Sequence, residues 1–189
     1  MLKGSFSAPL FFQLGASIAI LSLVIIYWQS QYYEQEPPFP HQYISIVAQH
    51  YPEFVVFRLS TITGAALLIL GWFTNHFVLR TIAVEHGINI RRYHPEVALV
   101  LGIMGGLLLT MNTATIDTGH MNKHLHASCA SRFFIVTILV QVYNTVVCAN
   151  LSDLTTSISK RNLYVKYFIM VMLVVQGLYS AAKSYGLLG

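Results

Sequence analysis

Long apolar runs alternate with short polar segments along the whole chain. Apolar residues fill about 11–28, 59–79, 97–114, 133–151 and 164–185, and polar or charged residues collect between them. Each run approaches the ~20 residues an α-helix needs to cross a hydrocarbon layer of ~30 Å. None shows the strict alternation of a membrane strand, which would need only ~9–11 residues. In lipid the backbone must satisfy its own hydrogen bonds. The pattern therefore predicts an all-α, polytopic transmembrane helix bundle of about five spans. No repeat, low-complexity tract or long linker interrupts it, so residues 1–189 read as a single transmembrane domain.

Composition agrees with that pattern. Hydrophobic residues make up 55% of the chain and charged residues only 10%, whereas a soluble domain carries about 25% charged residues. The net charge of +4 comes from short basic clusters between the apolar runs, with no continuous basic face for a phosphate backbone to follow. No nucleic-acid partner is expected, and the basic residues serve better as topology signals. Lys3, Arg80, Arg91, Arg92, Lys160, Arg161 and Lys166 fall on one side and outnumber Arg58, Lys123, Arg132 and Lys183 on the other. By the positive-inside rule the N-terminus is cytosolic, and segments 29–58 and 115–132 face the lumen or exterior. The sequon at Asn150 then lies on the cytosolic side and is expected to carry no glycan. No small-residue cleavage site follows the first run, which reads as a retained anchor.

Aromatic residues gather at the ends of the runs: Tyr27, Trp28, Tyr32 and Tyr33, then Trp72, Phe73 and Phe77, then Tyr164 and Tyr167. Such belts mark the headgroup level. Gly64, Ala65, Ala66 and Gly71, with Gly102, Gly105 and Gly106, lie inside spans, where small residues let helix backbones approach closely. Cys129 and Cys148 are 19 residues apart, about 28 Å along a helix. They cannot bridge and read as small packing residues.

Two of the polar segments are richer than a connection requires. In the first, Pro37, Pro38 and Pro40 hold the chain extended, and Pro52 is placed to open the second helix. Glu53 follows in the first turn, where the helix dipole favours a carboxylate. Arg58 lies a turn further in; it is expected to snorkel, or to pair with Asp117, and headgroup contact competes with simple anchoring as its role. In the second segment, His120 and His124 stand four residues apart, with Asp117 three before His120. On a helix these would share a face that suits zinc. Gly119 interrupts any such helix, and the segment reads instead as a polar interfacial turn between spans; no resident metal or other cofactor is expected.

Ser45, Ser128 and Ser131 lack the elbow motif of a serine nucleophile, and no phosphate-cradling glycine loop is present. No catalytic residue is assigned. His76, Asn112, Gln141 and Asn144 lie in or near spans and are expected to find hydrogen-bond partners between helices. No ladder of intramembrane carboxylates exists, which argues against a proton-driven transporter or pump.

The order of these features resembles the FRAG1/DRAM/Sfk1 family, which includes GPI-anchor maturation factors. Its first span is followed by a Pro-x-(Ile/Val)-Ser stretch and a Pro-Glu leading into the second span. Pro40, Ile44, Ser45, Pro52, Glu53, Phe57 and Arg58 are similar to that pattern. The Leu/Gly-rich run from Leu99 to Gly105 follows, then an acidic residue and a histidine, Asp117 and His126. Ala127, Ala130, Phe133 and Phe134 then resemble the opening of the fourth span. Members usually have six spans, so the sixth is expected to be missing here.

The resemblance implies an endomembrane protein acting in membrane-lipid or GPI-anchor handling, with no transferable active site. Its relatives are linked to GPI-lipid remodelling, lysosomal autophagy and phosphoinositide kinase recruitment. The expected polar cluster, for headgroups or for structure, is Ser45, Glu53, Arg58, Asp117 and His126. Membrane lipids are the expected partners. The competing reading is an accessory structural subunit of a large membrane complex, with other membrane proteins as partners.

Overall fold

The computed structural model describes residues 8–32, 48–90, 94–117, 120–154 and 160–184. Among these, five helices and one small hairpin occur: α1 (Ala8–Tyr32), α2 (Glu53–Glu85), α3 (Pro95–Ala114), β1 (Ile116–Asp117), β2 (His120–Met121), α4 (Lys123–Leu154) and α5 (Lys160–Ser184). Helices α1 to α4 are long and apolar enough to cross a membrane. In α5 the apolar stretch among the described residues is Leu163–Val175, shorter than a full crossing. The chain is therefore an all-α membrane bundle.

Two helices run well beyond the apolar stretches that predict them. Helix α2 has 33 residues and α4 has 32. At 1.5 Å per residue each is about 50 Å long and exceeds the hydrocarbon layer. Hydropathy marks only the part of a helix that lies in lipid; capping decides where the helix stops. The second helix opens after Pro52 as expected, with the Phe54 N–H donating to the His50 carbonyl at 2.7 Å. It closes at Gly87, whose φ of 65° suits a residue without Cβ. There Ile88 N–H donates to Ala83 and Gly87 N–H to Val84, the paired bonds of a Schellman cap.

The start of α4 corrects the sequence reading most. Residues 123–132 are expected in a turn but are helical from Lys123. The reason is Asn122, whose side-chain oxygen accepts the Leu125 N–H at 3.1 Å, an N-cap that satisfies an otherwise orphaned donor. Ahead of it, β1 and β2 pair antiparallel, Ile116 opposite Met121 and Asp117 opposite His120.

Contacts divide the chain into two compact units. Unit 1 comprises 1–75 with 103–133, and unit 2 comprises 76–102 with 134–189. In unit 1, α1 and α2 meet through glycines. A Cβ on Gly71 would lie 2.7 Å from the Phe12 ring, and one on Gly15 would lie 3.8 Å from the Gly64 carbonyl. Phe12 also meets Trp72 edge to face, with centroids 5.2 Å apart. Helices α2 and α3 approach in the same way, since a Cβ on Gly106 would lie 2.5 Å from Ile69 and 3.2 Å from the Ala65 carbonyl. In unit 2 the core is apolar and consists of Leu79, Ala83, Ile90, Val147, Cys148 and Leu151.

Outward faces are apolar as lipid demands. On α3, Val97, Val100, Met104, Leu107 and Met111 are exposed at alternating spacings of three and four, one continuous stripe of the helix. Hydroxyls within the spans bond to their own helix: Thr74 to Leu70, Thr110 to Gly106, Thr113 to Leu109 and Thr145 to Gln141. That removes the penalty of an unmet donor in hydrocarbon. Cys129 and Cys148 are free and buried, the packing role expected for them.

Candidate functional site in unit 1

Unit 1 holds the expected polar cluster, apart from Ser45, which lies outside the described residues. Glu53 begins α2, Arg58 follows on the same helix, Asp117 sits on β1 and His126 closes the first turn of α4. The described residues of both segments singled out from sequence, 29–58 and 115–132, belong to this unit.

His126 closes a small network. The Thr115 hydroxyl donates to the Asn112 carbonyl at 2.6 Å. His126 Nδ1 lies 3.0 Å from Thr115 Oγ1 and 3.4 Å from the same carbonyl oxygen. A carbonyl only accepts, and the threonine has already given its one proton, so Nδ1 is the donor. In the neutral ring Nε2 then carries the lone pair. The network ties the end of α3 to the start of α4, and the Asn122 N–H donating to the Thr115 carbonyl at 3.1 Å ties the hairpin to both. Thr115 was not foreseen as a partner for the histidine. Its position just beyond the third apolar run, eleven residues before His126, offers no periodic signal.

Arg58 lies over the ring of Phe54, 5.0 Å from its centroid, one turn back on α2. This is a cation–π contact within the helix, where snorkelling or a pairing with Asp117 was expected. Asp117 is exposed on β1. His120 falls on β2 and His124 on α4, so the shared helical face that would suit a metal does not form. Among the described residues no group of three His, Cys, Asp or Glu is placed to hold a metal ion.

Glu53 departs most from expectation. It is the first-turn carboxylate expected at the helix start, but it is completely buried, and neither of its oxygens has a hydrogen-bond partner. The side-chain oxygens of Gln29 and Asn112, also in unit 1, are likewise buried without partners. An unmet buried polar group costs about 1–3 kcal/mol, and a charged one more. Such groups persist where a function needs them, or where something absent from the isolated chain satisfies them. Among the other polar residues of the spans, Asn144 has a partner, while His76 Nδ1 in unit 2 has none.

A family model, the Frag1/DRAM/Sfk1/Cwh43P N-terminal domain, matches residues 5–182. The chain belongs to that family. The match covers nearly the whole chain and agrees with the resemblance carried by the Pro40 to Arg58 and Asp117 to Phe134 segments. No curated protein and no solved structure matches this Frag1-family chain.

Proposed function

We propose that this Frag1-family protein is a non-enzymatic, multi-span component of membrane-lipid or GPI-anchor handling, working through the polar end of unit 1. The reading is carried by one observation. In a chain whose other face is built for lipid, unit 1 collects His126, Arg58 and the unpartnered oxygens of Glu53, Gln29 and Asn112 at helix ends. Trp28 and Tyr32, stacked with centroids 5.8 Å apart, and exposed Tyr51 lie at neighbouring helix ends, the belt expected at headgroup depth. Arg58 and His126 are the residues we place against headgroups, on the side that the basic-residue bias makes lumenal or external, with an endomembrane suggested by the family resemblance.

The test is lipid analysis of the full chain purified from a native membrane in mild detergent. Stoichiometric retention of one headgroup class, reduced several-fold by His126→Ala, supports the reading. Retained lipid that mirrors the source membrane overturns it.

A second reading, a structural subunit of a larger membrane assembly, draws on α5. Tyr164, Val165, Phe168, Ile169, Val171, Met172 and Val175 are all exposed along it, a surface that a partner subunit would cover. Native mass spectrometry distinguishes the two, because a subunit co-purifies with its complex in fixed ratio.

A further inference from the structure

Glu53 needs a donor, and the helix register indicates what stands beside it. Contacts of Phe12 with Gly71, and of Gly15 with Gly64 and Leu67, make α1 and α2 antiparallel neighbours. Continued along both helices at 1.5 Å per residue, that register brings Gln29 level with Glu53. The faces agree as well. At 3.6 residues per turn, Glu53 falls on nearly the same azimuth of α2 as Gly64 and Gly71. Gln29 continues the stripe of α1 that holds Gly15, Ser22 and Ile26, the last two of which are buried.

Among the described residues, that register sets three unpartnered oxygens at one level of unit 1. Both Glu53 oxygens and the Gln29 Oε1 are buried without a donor. Two acceptors cannot satisfy one another. A Gln29 carboxamide turned with its NH2 inward would bring a neutral donor but no countercharge. Arg58 is not that countercharge: it lies well round the helix from Glu53, with its guanidinium on Phe54. What fits is a compact cation with several N–H donors, entering at the level of the Trp28, Tyr32 and Tyr51 belt.

We propose that Glu53 and Gln29 form a recess for the primary ammonium of an aminophospholipid headgroup. This rests on the lipid-handling reading and names the headgroup chemistry. A primary ammonium offers three donors to the three orphan oxygens, whereas a trimethylammonium offers none. Recognition therefore discriminates ethanolamine from choline lipids by hydrogen bonding, although both carry the same charge.

The experiment reconstitutes the full chain in nanodiscs of phosphatidylcholine containing phosphatidylethanolamine, its N-methyl and N,N-dimethyl forms in turn, and reads retained lipid by native mass spectrometry. Retention is expected to fall stepwise as N–H donors are replaced. Glu53→Gln is expected to lower phosphatidylethanolamine retention about tenfold, the change that follows loss of a hydrogen bond to a charged group. The methylation series uses the unaltered chain, so it stands even where Glu53→Gln fails to fold. Equal retention across the series overturns the proposal, as does a folded Glu53→Gln chain that keeps its preference. Free ethanolamine competing as well as the lipid overturns the headgroup assignment in favour of a soluble amine. Preference for a headgroup without an amine defeats this proposal but leaves lipid handling intact, while no preference for any headgroup defeats both.

Discussion

Units 1 and 2 share helices α2, α3 and α4, with α1 in the first and α5 in the second, and solve the problem of membrane packing differently. Unit 2 has an apolar core of six residues from Leu79 to Leu151, and Ile88, Tyr143 and Leu163 pack against it. Its charged contact, Arg80 to Glu96 at 3.2 Å, is half exposed on both sides. Unit 1 relies on glycine contacts between helices, and among the described residues it holds the four buried side-chain oxygens without a partner, where unit 2 has the single nitrogen of His76. Lipid tails are as apolar as leucine, so a close helix contact gains mainly from van der Waals packing. Unit 2 spends its residues on that gain. Unit 1 gives part of it up to keep acceptors and a histidine at one end, the pattern expected where a ligand rather than the fold dictates residue choice.

The contrast is open to direct test by unfolding the protein in detergent. Leu151, fully buried in unit 2, should have the largest effect: Leu151→Ala is expected to cost about 2–5 kcal/mol. A harmless result would mean that the unit 2 core does not hold the protein together. Next comes Gly106→Ala, expected to cost about 1–3 kcal/mol because the new methyl meets Ile69 and a backbone carbonyl that has little room to move. Gly64→Ala is its control. A Cβ there meets nothing within 4 Å, so the better helix propensity of alanine should leave stability unchanged or raise it by up to about 1 kcal/mol. Equal losses at the two glycines would show that close approach is not what unit 1 depends on.

Smaller effects sharpen the same contrast. His126→Ala should cost about 1 kcal/mol through loss of its bond to Thr115, and headgroup retention should fall with it. Arg80→Ala should change stability by less than about 1 kcal/mol, since exposed ion pairs contribute little. It should leave lipid retention unaltered. A lipid effect from Arg80→Ala equal to that of His126→Ala would move the functional assignment away from unit 1.

Much of the architecture is legible in the sequence. Four of the apolar runs are helices of membrane-crossing length, and the Pro52-Glu53 pair does open the second helix. The start of α4 was misjudged. Gly119 and the density of polar residues suggested a turn through 132, although Asn122 had the chemistry of an N-cap. Apolar periodicity cannot locate a helix end in a polar segment; a cap can, and it is a single residue. Within the candidate site, residue types were legible but their partners were not. Asp117 and Arg58 invited pairing by charge alone, while the observed neighbour of Arg58, Phe54, lies one turn away on the same helix.

What the sequence by itself determined is the solvent. Runs of ~20 apolar residues with few charges leave the backbone no option in lipid but to close its own hydrogen bonds as helices. What only the tertiary structure decided is which polar atoms end up unmet. Burial of Glu53, like the packing of Phe12 on Gly71, is set by what other parts of the chain lay against α2. That placement joins residues nearly sixty positions apart, and composition and periodicity report only on a residue's own helix.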